Sequence, residues 1–192
     1  QAFHACMAAL EMQRRTKTLA DEIMIQGYRL SMRIGINTGI VMAGNMDSEE
    51  RFDFTVIGDN VNIASRLEGL NKVYDTRIMI SEATQARLDG KVTYRELGSV
   101  KVKGKRQAIR IYELVDGDRN PLIDLFEEGL RFYREGRFDS ARERFSRVLG
   151  IDPNDKPGRL YLERCDHFIH PPPEGLGWGV GILKQGPIRK NR

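Results

Sequence analysis

Asn62 and Arg66 stand four residues apart in the stretch RFDFTVIGDNVNIASRLEGLN, residues 51–71, and together they carry groups able to grip a polar, anionic ligand. An amide is a neutral donor and acceptor, whereas a guanidinium is a permanent cation with a planar fork of donors. Four residues is about one helical turn, so on a helix both side chains point to the same side and can meet one ligand. Taken alone, this spacing fits a merely solvated polar face better than a site.

The elements around the pair must do the positioning. Phe52, Phe54, Val56 and Ile57 read as a strand that breaks at Gly58-Asp59 straight into a helix from about Asn60 to Leu70. A helix that starts directly after a strand presents free backbone N–H groups and a positive dipole end at the junction. Ile63, Leu67 and Leu70 are expected to face the core. Upstream, Ala2, Phe3, Cys6, Ala9 and Leu10, then Leu19 and Ile23, recur at helical spacing up to Gly27. No N-cap precedes that helix, so the chain is expected to be a piece of a longer one. Strands are expected in YRLSMRIGIN, IVMAGNM, RIMI, VTYREL and AIRIYELV, ending near Val115, with a short helix opened by Ser81 and Thr84. Gly35, Gly39 and Gly44 read as turn or close-packing positions. Strands alternating with helices and pairing late predict a mixed sandwich and not an all-parallel sheet.

Composition narrows the function classes. At 192 residues, with 40% hydrophobic and 30% charged positions, the chain has the make-up of a folded domain with an appendage. Its net charge of +4 is dispersed, Lys and Arg interleaved with Asp and Glu, so nucleic acid is not an expected partner. Cys6 and Cys165 form no paired framework, which suits reduced thiols and a cytoplasmic location. No run approaches the roughly 18 apolar residues of a membrane span, which leaves any anchor to other parts of the full-length protein. A P-loop is excluded because Gly98 and Gly104 are separated by five residues and Arg106 follows Lys105.

RIGINTG, FTVIGDNVNIASRLE and VKVKGK, in that order, resemble the C-terminal half of the catalytic domain of class III nucleotidyl cyclases, which make cyclic AMP or cyclic GMP. The resemblance spans residues 1–116 and implies an α+β, ferredoxin-like domain whose N-terminal part is missing. It also implies a head-to-tail homodimer with active sites at the interface. On the matching positions, Asn62 would orient the ribose, Arg66 would steady charge developing on the triphosphate, Lys103 would hold the terminal phosphates and Thr55 would read the purine. A threonine at that position favours ATP. By the same resemblance, two aspartates holding Mg²⁺ or Mn²⁺ and a lysine that pairs with the base are expected upstream of Gln1, so the chain alone is expected to be inactive. Without the resemblance, Lys103 in KVKGKR reads as part of a solvated charged turn and Thr55 as an ordinary β-branched strand residue.

The texture changes after DGDRNP. Residues 1–117 form the expected cyclase part, 118–170 a helical hairpin and 171–192 a Pro/Gly-rich tail. Gly129, Tyr133, Gly136, Phe138, Ala141, Phe145 and Pro153 resemble one tetratricopeptide repeat, with GRLYLERCDHFI as a further capping helix. Cys165, His167 and His170 lie close in sequence, but lack a fourth ligand and are not expected to bind metal. Trp178 reads either as an anchor of the Gly-rich tail to a surface or as part of a disordered tail. Two functions fit: part of an adenylate cyclase, or a non-catalytic cyclase-like module for nucleotide sensing or protein interaction. The Asn62/Arg66 pair favours the first, because a purely structural domain has no need of it on one face.

Overall fold

The computed structural model describes residues 1–22, 30–48, 51–101, 108–168 and 180–181. Lys103 and the rest of VKGK, Gly27, His170, the three prolines and Trp178 lie outside the described residues. The cyclase part comprises helix α1 (Ala2–Glu22), strands β1 (Ile34–Ile36), β2 (Met42–Ser48) and β3 (Arg51–Ile57), helix α2 (Asp59–Tyr74), β4 (Ile78–Ser81), α3 (Glu82–Gln85), β5 (Tyr94–Lys101) and β6 (Ala108–Leu114). Helices α4 (Pro121–Arg134), α5 (Phe138–Ile151) and α6 (Lys156–Phe168) follow, then β7 (Val180–Gly181).

Five strands form one mixed sheet in the order β1-β4-β6-β5-β7. Strand β1 runs parallel to β4, pairing Ile34 with Ile78, whereas β6 is antiparallel to both β4 and β5. The tail contributes β7 along β5, with Ser99 opposite Val180. Strands β2 and β3 stand apart as a two-stranded antiparallel sheet in which Gly44 faces Thr55. Every residue of β4 is buried, as expected for a strand covered on both faces. Ile78 and Ile80 pack with Tyr112 and Leu114 against Cys6, Ala9 and Leu10 of α1. Met79, pointing the other way, joins Leu97 and Ile111 against Leu67 and Tyr74 of α2 and against α4–α6.

Several positions depart from the sequence expectation, and the strand expected over VTYREL instead spans Tyr94–Lys101. The strand expected over YRLSMRIGIN is limited to Ile34–Ile36. Leu30 is exposed and the Met32 carbonyl accepts from Gln13 Nε2 of α1 at 2.9 Å, so a side chain takes the place of a strand partner. Gly44 is neither a turn nor a close-approach position: it lies within β2, and nothing stands near where its Cβ would be.

The last three helices pack onto the sheet. Asn120 caps α4, its Oδ1 accepting from the Ile123 N–H at 3.2 Å, and Pro121 is the first helical residue. A Cβ at Gly129 would stand 2.9 Å from the Phe145 ring, so the small residue lets α4 and α5 approach. Helix α6 inserts Tyr161 between them, edge-on to Phe126 and stacked on Phe145, with its hydroxyl donating to the Leu97 carbonyl of β5 at 2.8 Å. Arg95 of β5 donates to Glu113 of β6 and to Asp155 at the start of α6, both at 2.6 Å. One hydrophobic core therefore runs from α2 through the sheet into the last three helices.

Candidate active site

Helix α2 carries the Asn/Arg pair and is fastened at both ends. Gly58 precedes it with φ 138°, a backbone conformation in which a side chain would be strained, and its carbonyl accepts from the Val61 and Asn62 N–H groups. Ile63 and Leu67 are buried and Leu70 partly so, as the periodicity predicts. Asn62 is exposed and Arg66, one turn on, is part-buried. The helix runs on to Tyr74, beyond the expected end at Leu70, because Asn71 and Tyr74 are buried and hold the last turn. Asp75 ends it in the left-handed conformation.

Strand β1 is the floor beneath α2. A Cβ on Gly35 would lie 2.2 Å from the Ala64 carbonyl oxygen and 2.4 Å from the Glu68 nitrogen, so only glycine allows this approach. Asn71, fully buried, donates from Nδ2 to the Ile34 carbonyl at 3.0 Å and accepts at Oδ1 from the Thr76 hydroxyl at 2.8 Å. At the other end, Asn37 Nδ2 donates to both the backbone and side-chain oxygens of Asn60, each at 3.1 Å. Asn37 Oδ1 accepts from the Ser81 hydroxyl at 2.6 Å, and Thr84 ties Ser81, Thr38 and the Ile36 carbonyl together. Asn60 Nδ2 donates to the Ile40 carbonyl at 2.8 Å. No buried polar side-chain atom among the described residues lacks a partner, so this network is closed.

These asparagines and hydroxyls are the part of the site that sequence reasoning missed. A buried, helix-disfavoured Asn at 71 and a polar pair after a strand at Asn37-Thr38 are the available signals. Thr55 sits exposed on β3, three residues before the Gly58 junction, so the strand that carries it leads directly into α2. The structure thus brings Asn62 and Arg66 onto one face with Thr55 close in the chain, while Lys103 lies outside the described residues.

No cluster of three or more His, Cys, Asp or Glu groups able to hold a metal occurs among the described residues. These residues do not fit a divalent-cation pair. Cys165 is fully buried while His167 is exposed, so the two side chains sit in different surroundings. Burial pushes the Cys6 thiol up to about 11 and the Cys165 thiol up to about 12, so neither is a thiolate nucleophile near neutrality. No described helix is long and apolar enough to cross a membrane.

Comparisons with known proteins point to one family. The chain is 35% identical over 178 residues to the terminal-differentiation specific adenylate cyclase of Dictyostelium discoideum, a match covering 86% of the chain but 8% of that protein. It is 40% identical over 115 residues to adenylate cyclase 1 of Rhizobium meliloti, covering 59% of the chain and 17% of the relative. Among solved structures it resembles the adenylyl cyclase CyaB from P. aeruginosa (TM-score 0.53, 33% identity, 62% of this chain and 60% of that one). The guanylyl cyclase Cya2 is similar at a TM-score of 0.52 and 32% identity, with the same coverage. The chain spans well under a quarter of either curated relative, and the Dictyostelium match runs past the catalytic region into the helical segment. Residues 1–116 match the adenylate and guanylate cyclase catalytic domain, and the chain belongs to that family.

Proposed function

We propose that this chain supplies the ribose- and phosphate-directed part of an adenylate cyclase site, which converts ATP to cyclic AMP and pyrophosphate for intracellular signalling. The observation that carries the reading is the Asn62/Arg66 pair on a helix fastened at both ends within a chain of this family. In the reaction the ribose 3′-hydroxyl gives up its proton to solvent as its oxygen attacks the α-phosphorus, the bond to the β,γ-pyrophosphate breaks, and negative charge grows on the departing pyrophosphate. Asn62 orients the ribose so that the 3′-oxygen lies in line. Arg66 meets the developing charge with a cation already in place, which costs no reorganisation during the reaction. Thr55 reads adenine and Lys103 holds the terminal phosphates. Any Mg²⁺ or Mn²⁺ would be held by carboxylates outside the described residues and would supply charge neutralisation for the triphosphate.

The same proposal includes a homodimer. Ile40, Val41, Met42, Val56 and Ile57 are exposed large apolar side chains clustered at the base of the β2–β3 hairpin, a surface suited to a second copy. Residues 1–117 would then be the catalytic part, 118–170 a tetratricopeptide-like segment led by an α4–α5 hairpin, and 171–192 a tail, all in the cytoplasm. In the full-length protein, Arg66→Ala is expected to lower kcat by about 10²-fold or more with little change in KM. Turnover within a few-fold of the parent would remove the role assigned to Arg66.

A further inference from the structure

The β2–β3 hairpin belongs to a sheet of its own, and among the described residues no strand ladder ties it to the rest of the molecule. A lone two-stranded ribbon is marginal in water and needs an anchor to hold one orientation. Its two ends meet the body at glycines: Gly39 before β2, and Gly58 between β3 and α2. Asn60 lies between those ends. From the first turn of α2 its Nδ2 donates to the Ile40 carbonyl, just ahead of β2, while its Oδ1 accepts from Asn37 at the end of β1. The side chain is packed directly against the backbone of the incoming strand: a Cβ on Gly39 would fall 2.3 Å from Asn60 Cγ and Nδ2. Asn37 is itself held by Ser81 of β4, so the pin reaches the main sheet.

We propose that Asn60 is a positioning residue that fixes the β2–β3 hairpin against α2 and thereby sets the reach from Thr55 to Asn62 and Arg66. This rests on the cyclase reading above, in which Thr55 meets the base and the helix meets the ribose and phosphates. Thr55 is paired opposite Gly44, so whatever moves β2 moves Thr55 with it. The attachment through Gly58 is covalent but conformationally permissive, and it cannot hold the hairpin angle alone. With the Asn60 pin lost, the hairpin rotates about its glycine ends, and base and ribose are no longer held at one separation. Misplacement of about 1 Å costs up to about 10²-fold in rate.

The test compares Asn60→Ala and Asn60→Asp in the full-length protein. The aspartate keeps the size and the acceptor for Asn37 but loses the donor to Ile40. Both variants are expected to lose about 10- to 100-fold in kcat/KM for ATP. Their preference for ATP over GTP should narrow by about tenfold, since a hydrogen bond to the base is no longer enforced. Amide exchange across β2 and β3 should quicken while that of β4 and β6 stays as in the parent. A parental ATP-to-GTP ratio in both variants overturns the inference, as does a general rise in exchange or failure of both to fold, since Asn60 would then serve the whole structure. Arg66→Ala, assayed alongside, separates the two ideas. Near-parental activity in that variant removes the cyclase assignment of the helix, whereas loss of activity there with unchanged base preference in the Asn60 variants removes only the pin.

Discussion

Replacing Arg95 with methionine tests how tightly the helical segment is built into the catalytic part. Arg95 is 4% exposed, and its guanidinium is engaged on both sides. Nε and one terminal nitrogen donate to Glu113 Oε2 at 3.0 and 2.6 Å, and the other donates to Asp155 Oδ2 at 2.6 Å, with the Phe126 ring 4.8 Å away. Asp155 also accepts from the Gly158 N–H at 2.7 Å, so it is held at the start of α6 and cannot swing out to water without freeing that turn. Methionine fills most of the arginine stem, which makes the main cost that of two buried carboxylates left without their cation. Breaking a buried pair in this way costs about 3–5 kcal/mol. For a chain of this size that corresponds to a fall of about 6–20 °C in Tm. Urea unfolding followed by far-ultraviolet circular dichroism measures it.

The pH dependence sharpens the test. Burial lifts the Glu113 carboxyl above its ordinary range even though Arg95 pulls it down, and without Arg95 it rises further. A raised folded-state value means that the folded protein holds the proton more tightly than the unfolded chain. Stability is then full below the ordinary glutamate range, about 4, and is lost as pH climbs through the raised folded value. The deficit of the variant should therefore be larger at pH 7 than near about pH 4.5. A deficit below about 1 kcal/mol at pH 7, or one equal at both pH values, would refute the buried-network account.

Four further outcomes are expected. Gly35→Ala sets a methyl against the backbone of α2, which cannot yield, so it should cost about 1–3 kcal/mol or more and lower kcat as the helix lifts; a parental Tm contradicts this. Val56→Asp should shift sedimentation toward the monomer if the proposed dimer forms there, and an unchanged oligomeric state would remove the hairpin base from the proposed interface. The parent should show a higher kcat/KM with ATP than with GTP, and the reverse order would overturn the role given to Thr55. Cys6 and Cys165, pushed up to about 11 and about 12 by burial, should resist iodoacetamide at about pH 8 until the protein is unfolded; rapid labelling of the native chain would contradict their burial.

The α2 region was legible because its determinants are local. Gly58 at the junction, Ile63 and Leu67 at helical spacing, and Asn62 with Arg66 one turn apart are all set by residues within a short window, and a helix has one period to satisfy. The N-terminal start of α4 at Pro121 and the tight approach at Gly129 were equally readable, since caps and small residues act on their immediate neighbours. The cyclase family, too, could be reached from three short motifs.

Tertiary structure alone decided what those local pieces lean on. Nothing near Asn60 in sequence says that it meets Asn37 and Ile40, residues about twenty positions away, and nothing near Arg95 points to Asp155, sixty residues on. Local sequence likewise gave no sign that β2 and β3 would leave the main sheet, or that α6 would send a tyrosine hydroxyl to a carbonyl of β5. Such contacts join elements whose separate patterns only state that one face is apolar or one polar group needs a partner. Side-chain period and capping fix each element from within, whereas the choice of partner depends on which faces and which unpaired donors and acceptors meet once the whole chain has closed around a common core.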